Sequence, residues 1–317
     1  MNFRLFLVFL LKIGFMKHIS LTITAAILSC ILCSGQSNTA RWKDLNYGDD
    51  DKVYHMLDIY LPSEVKPSYK AIVVIYGSGF MSNNFKQAAF KALGSPLLKS
   101  GFAVICVNHR SSSDSLFPAQ INDIKSSIRY IRAKGKEYQI DTSFIGITGY
   151  SSGGHLSSFT GTSGSVMKIT IGNTTADIEG KVGKYLNFRS TVDAVVDWYG
   201  PTDFLVMDSC GSDMKHDSPD SPESLLVGGP IQQNHDKCSI ANPVTYVDNN
   251  DPPFLILHGD KDPLVPWCQS QILYDALQKK GVRSEFVLVP GGGHGQGMHN
   301  DKYFKMMTDF FLKEASE

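Results

Sequence analysis

The chain has 317 residues and a near-neutral balance of 30 Lys and Arg against 31 Asp and Glu, a formal charge of −1. Without a basic excess, nucleic acid is not an expected partner. A hydrophobic content of 42% with no repeat, heptad or low-complexity tract excludes disordered and fibrous classes and leaves room for a large buried core.

The N-terminus reads as an export signal. From Met16, a basic start at Lys17 is followed by an apolar run over residues 19–32 and a small-residue end at Cys33-Ser34-Gly35. Residues 1–35 are therefore expected to be a signal peptide cleaved before Gln36, making the protein secreted or periplasmic. Residues 1–15 are also apolar and basic, so either the signal is long or translation starts at Met16. A membrane-spanning helix over residues 3–32 and a lipid anchor at Cys30 or Cys33 are the alternatives; no stable membrane partner is expected. The signal carries Arg4, Lys12 and Lys17 and no acid, so 27 basic side chains stand against 31 acidic ones in a remainder of 282 residues. That length suits one domain, residues 36–317.

Residues 71–75 form an apolar strand that ends in Tyr76-Gly77-Ser78-Gly79-Phe80, a small-residue turn able to present backbone N–H groups. Residues 104–108 read as a second buried strand. The run Phe144-Ile145-Gly146-Ile147-Thr148-Gly149-Tyr150-Ser151-Ser152-Gly153-Gly154-His155 is an apolar strand breaking into a glycine-flanked serine, with a helix expected from Leu156. Such a strand-turn-helix is a nucleophile elbow, which pushes the serine outward. Ser151 is the candidate nucleophile, and the N–H groups of Ser78, Gly79 and Ser152 are candidate oxyanion-hole donors.

Residues 192–198 form a further strand, leading into Trp198-Tyr199-Gly200-Pro201-Thr202-Asp203. The following Gly/Ser/Asp/Pro-rich stretch reads as a surface insertion, a small cap over residues 204–246. Cys106 falls in a strand, which leaves Cys210, Cys238 and Cys268; a Cys210–Cys238 disulfide is expected to pin the cap.

A serine hydroxyl needs a base and an acid that orients it. The strand Pro253-Phe254-Leu255-Ile256-Leu257-His258 ends in Gly259-Asp260-Lys261-Asp262-Pro263-Leu264-Val265-Pro266, and residues 285–290 run into Gly291-Gly292-Gly293-His294-Gly295. Both loops follow the carboxyl ends of strands, where open α/β sheets place their sites. His294 is the candidate base and Asp262 the candidate acid. Asp260 reads as a loop brace and Asp203 as a turn cap, with Asp203 kept as an alternative acid; His155 and His258 read as structural. Phe80, Tyr199 and Trp267 flank these loops as a candidate aromatic wall for a substrate. No metal-ligand spacing or phosphate-binding glycine motif appears, so no metal and no cofactor is expected.

Taken together, Tyr76–Phe80, the elbow, Val195-Val196-Asp197-Trp198-Tyr199-Gly200-Pro201-Thr202-Asp203-Phe204 and the 258–266 segment resemble the BD-FAE family, across essentially the whole chain after the signal. Residues 217–231 resemble the family's cap insertion. Tyr76 and Ser78 stand where related esterases carry a histidine and a glycine. The resemblance implies an α/β-hydrolase fold, a mostly parallel sheet flanked by helices. It also implies a serine carboxylic ester hydrolase of the feruloyl or acetyl xylan esterase type, with Ser151 as nucleophile, Asp262 as acid and His294 as base. An ester-decorated oligosaccharide or a small ester is the implied substrate. A general short-chain carboxylesterase is the alternative. A serine peptidase would be exposed by casein or peptide-nitroanilide cleavage, and a noncatalytic carbohydrate-binding relative by binding without turnover.

Overall fold

The computed structural model describes residues 40–317, so the expected signal peptide and its alternatives lie outside the described residues. Ten strands run in chain order: β1 Trp42–Asn46, β2 Met56–Tyr60, β3 Tyr69–Ile75, β4 Ala103–Val107, β5 Ile140–Tyr150, β6 Lys168–Ile171, β7 Thr174–Asp177, β8 Ala194–Trp198, β9 Phe254–Gly259 and β10 Ser284–Val289. Eight make one sheet in the order β1-β2-β4-β3-β5-β8-β9-β10. The β1–β2 and β2–β4 pairs are antiparallel; from β4 to β10 every neighbour is parallel.

Nearly unbroken apolar runs such as AVICV in β4 and FLILHG in β9 are fully buried, as strands covered on both faces must be. Alternation along β3 sends Ala71, Val73 and Ile75 to one core and Ile72 and Val74 to the other. The first core is closed by Ile124 and Ile128 of helix Ala119–Lys134, Leu156 of helix Ser152–Thr162, and Leu273 and Leu277 of helix Cys268–Lys279. Opposite, Leu93 and Leu97 pack with Met307 and Phe311 of helix Asp301–Glu314. The result is a three-layer α/β-hydrolase fold.

From β3 the chain moves to β4 on one side and then crosses to β5 on the other, so β3 and β5 flank the point where strand order reverses. Ligands of open α/β sheets bind at the carboxyl ends of strands at such a switch. Here those ends are Tyr76–Phe80 and Ser151.

Two excursions depart from the sheet. The β6–β7 hairpin, not anticipated from sequence, forms a separate two-stranded sheet. The cap consists of one- and two-turn helices, including Phe204–Val206, Pro222–Val227 and His235–Ala241. Its Leu226, Ile231 and Cys238 join the first core, so the cap is continuous with the domain interior rather than a purely superficial insertion. Full burial of a side chain such as Leu226 or Ile231 contributes about 1.5–3 kcal/mol each.

The disulfide differs from expectation. Cys210 is bridged to Cys268, their Cα atoms 6.3 Å apart, while Cys238 is a free thiol buried under the cap. Cys238 lies in the middle of helix His235–Ala241, and its Sγ donates to Ile231 O at 3.7 Å within the first core. The bridge therefore ties the cap to the helix that follows the Asp262 loop.

Candidate active site

At the end of β5, Ser151 adopts φ 57° and ψ −128°, a left-handed conformation costly for a residue with a Cβ. The turn is tight enough that a Cβ on Gly149 would lie 2.3 Å from Gly153 O, and one on Gly153 2.4 Å from Ile75 O. Only glycine fits at either position. Ser151 N–H donates to Trp198 O at 2.9 Å, fastening the elbow to β8. Beneath it, buried Asp197 accepts from Ser158 Oγ at 2.7 Å and Gly200 N at 2.9 Å, bracing the elbow helix against the β8 exit.

Ser151 Oγ is 2.9 Å from His294 Nε2, and His294 Nδ1 is 2.8 Å from Asp262 Oδ2. Asp262 Oδ1 accepts from the Leu264 and Val265 amides at 2.9 and 3.0 Å, so its own turn aims the second oxygen at the histidine. Burial acts to raise this carboxyl, but the donors of His258 and His294 outweigh it and hold it well below the usual carboxylate range. An ionised acid can only accept, so His294 Nδ1 carries the proton and Nε2 presents its lone pair to the serine.

The two loops are joined by Lys261 N donating to Gly292 O at 2.8 Å and Gly291 N donating to Asp260 Oδ1 at 2.7 Å, making Asp260 a brace. Asp203 Oδ1 caps the one-turn helix through Leu205 N at 3.1 Å. His258 links Ser270 Oγ at 2.7 Å to Val265 O at 2.8 Å, behind the acid. His155 lies under the site, its Nδ1 donating to Pro201 O at 2.9 Å and its ring stacked on Phe204.

Of the three backbone donors expected at the oxyanion, Ser78 N–H is directed to Ser152 Oγ at 2.9 Å. Gly79 and Ser152 line the cavity beside Ser151, and the Ser152 hydroxyl holds the Tyr76–Phe80 turn against the elbow. Phe80 and Tyr199, like Ser151, have positive φ, 61° and 44°; three of the six such non-glycine residues among the described residues thus line one cavity, concentrating backbone strain there.

That cavity holds about 630 Å³ and is lined by Ser151, His294, the Ser78–Phe80 turn, Tyr199 and the cap residues Met214, His216 and Glu223. Phe80 and Tyr199 line it. Trp267 does not: it is 41% exposed at the start of helix Cys268–Lys279 and is not among the lining residues. Sequence reading missed His216, Glu223 and also His299, whose Nε2 lies 2.9 Å from Tyr199 Oη while the Tyr199 ring packs edge-on against His294. For Glu223 a faint signal existed in Ser221-Pro222-Glu223-Ser224, a capped helix start in which Ser221 Oγ accepts from Ser224 N at 3.1 Å.

Comparison with known proteins agrees with this architecture. A carbohydrate esterase from gut microbiota, solved in truncated form, superposes with a TM-score of 0.85 at 47% identity, covering 89% of this chain and 99% of that one. A bifunctional GH43-CE protein of Bacteroides eggerthii gives 0.84 at 51% identity over 88% of this chain and 36% of its own. Esterase LipQ of Mycobacterium tuberculosis is 28% identical over 80% of this chain and 57% of its own length. The chain spans about half the length of the curated relatives it matches. The BD-FAE family model matches residues 57–277, from β2 into helix Cys268–Lys279. The chain belongs to the BD-FAE family and has the α/β-hydrolase fold of its esterase relatives.

Proposed function

We propose that this protein is a serine carboxylesterase that removes feruloyl or acetyl groups from xylan-type polysaccharide outside the cytoplasm. One observation carries the reading: the hydrogen-bonded chain from Ser151 through His294 to Asp262 opens directly into a cavity. Ser151 Oγ bonds to the ester carbonyl carbon as His294 Nε2 takes its proton, and the Gly79 and Ser152 amides stabilise the resulting oxyanion. The ester C–O bond then breaks, His294 returns the proton to the departing alcohol, and Ser151 is left acylated. Water, deprotonated by the same histidine, releases the acid and restores the serine.

The carbohydrate side of the reading draws support from the carbohydrate esterase at 47% identity, which this chain matches almost end to end. Export draws support from the leader-like residues 1–35 and from the Cys210–Cys268 disulfide, a bond that persists in oxidising compartments. The test is turnover of methyl ferulate, acetylated xylan and p-nitrophenyl acetate by the wild type and by Ser151→Ala. We expect ester cleavage that falls by about 10⁴-fold or more in kcat in the folded variant. Casein cleavage without ester turnover, or a fully active Ser151→Ala protein, would reject the reading.

A further inference from the structure

Across the cavity from the elbow, the cap presents a charged pair that the acyl-transfer steps do not use. His216 and Glu223 both line the cavity, with side chains only 2% and 5% exposed. His216 Nδ1 is 2.9 Å from Glu223 Oε2, and its Nε2 is 2.9 Å from Leu264 O and 3.0 Å from Ser212 Oγ. A carbonyl only accepts, and Ser212 directs its own proton to Leu264 O at 2.7 Å, so Nε2 must carry a proton. Nδ1, 2.9 Å from Glu223 Oε2, carries one as well, which makes the ring an imidazolium. Burial opposes that charge, but the carboxylate beside it raises the His216 pKa above its ordinary value.

Within this pair Oε2 is committed to His216. Among the described residues Oε1 has no hydrogen-bond partner, although the surrounding wall is mostly apolar, with Met81, Met214, Leu264 and Val265. A carboxylate oxygen left open in an apolar wall binds a neutral hydroxyl donor well and rejects an anion. The position is fixed relative to the chemistry, because the ring of Pro222 comes within 3.4 Å of the Cβ site of Gly79 on the oxyanion turn.

We propose that Glu223 is a specificity-determining residue whose Oε1 accepts a hydroxyl hydrogen from the substrate, with His216 holding the carboxylate in place. This rests on the esterase reading. The hydroxyl belongs either to a sugar or to the phenol of a feruloyl group, and paired substrates separate the two. Acetylated xylobiose is compared with p-nitrophenyl acetate, and methyl ferulate with methyl 3,4-dimethoxycinnamate, which lacks the phenol.

Glu223→Gln is the primary variant. His216 would draw the amide oxygen, turning the amide NH₂ toward the cavity, so an acceptor becomes a donor without change of shape. In at least one pair, the ratio of kcat/KM for the hydroxyl-bearing ester to its partner should fall about 10- to 100-fold, the scale of a hydrogen bond to a charged group. The pair that moves identifies the source. Glu223→Ala should shift the ratio in the same direction, with circular dichroism checking that both variants fold. Ratios within about twofold of wild type in both pairs would overturn the inference while the esterase reading stands. Absence of any ester turnover by the wild type would instead remove the esterase reading, and this inference with it.

Discussion

In the elbow, five consecutive residues from Gly149 to Gly153 fix Ser151 by backbone alone: two close approaches that exclude a Cβ, one strained serine and one hydrogen bond from the Ser151 amide to Trp198 O. In the cap, position comes from side-chain contacts, local at the helix caps and long-range at His216 and the disulfide. His216 reaches Glu223 and Leu264, Cys210 is bonded to Cys268, and short helices depend on Ser221, Asp203 and Asn242 as caps. In the proposed function, chemistry that tolerates little displacement sits on the first kind of scaffold, and substrate choice on the second. One region can therefore vary while the other cannot, which is how a single fold hosts many ester specificities.

The sharpest test of this division lies on the loops that meet the elbow. Asp262→Asn should lower kcat on p-nitrophenyl acetate by about 10³- to 10⁴-fold, because a neutral amide no longer fixes the His294 tautomer. Asp260→Asn and Asp203→Asn, which remove a brace and a cap, should cost less than about tenfold in the same assay. A larger loss from Asp203→Asn would move the acid to the β8 exit and break the comparison.

A smaller effect is expected from the staple. Replacing both Cys210 and Cys268 by serine frees a loop spanning 58 residues and should cost about 2–4 kcal/mol, read by urea unfolding. Because Cys268 follows the Asp262 loop by only a few residues, the loosening reaches the acid as well as the cap. kcat/KM should fall for a bulky feruloyl ester and, less steeply, for a small acetyl ester. A loss confined to stability would show that the cap holds its shape without the bond.

The smallest effect concerns pH. Burial pushes His155 down to about 4, against the favourable bond to Pro201 O, and its Nε2 has no hydrogen-bond partner between Phe80 and Phe204. The unfolded chain binds this proton near pH 6.5, before the folded state does, so stability is full above that pH and lost as pH falls toward 4. The loss is at most about 3 kcal/mol. His155→Phe should flatten the stability curve between those pH values; an unchanged slope would assign the acid sensitivity to other groups.

Ser151, Asp262 and His294 were legible in the sequence because each lies in the segment that leaves the carboxyl end of a strand, and a parallel sheet brings those ends to one edge. The mostly parallel sheet itself was readable for the same reason. What was not legible depends on contacts without local period. Nothing near Cys210 distinguishes Cys268 from Cys238 as its partner; only the inward turn of the Cys238 helix does. Trp267 reads as a pocket aromatic from its place beside the acid loop, yet the helix beginning at Cys268 turns it outward. Ser78 reads as an oxyanion donor until the hydroxyl of Ser152, 74 residues away, is seen to take its N–H. The His216–Glu223 pair lies in a stretch whose composition suggests only a surface loop.

Acylation of Ser151 during turnover is open to covalent trapping. The wild-type protein is treated with a fluorophosphonate or a slowly deacylating ester, digested and mapped by mass spectrometry. A single adduct on the peptide carrying Ser151, absent from Ser151→Ala, is the predicted result. An adduct on another residue, or ester turnover that leaves Ser151 unmodified at every stage, would contradict it.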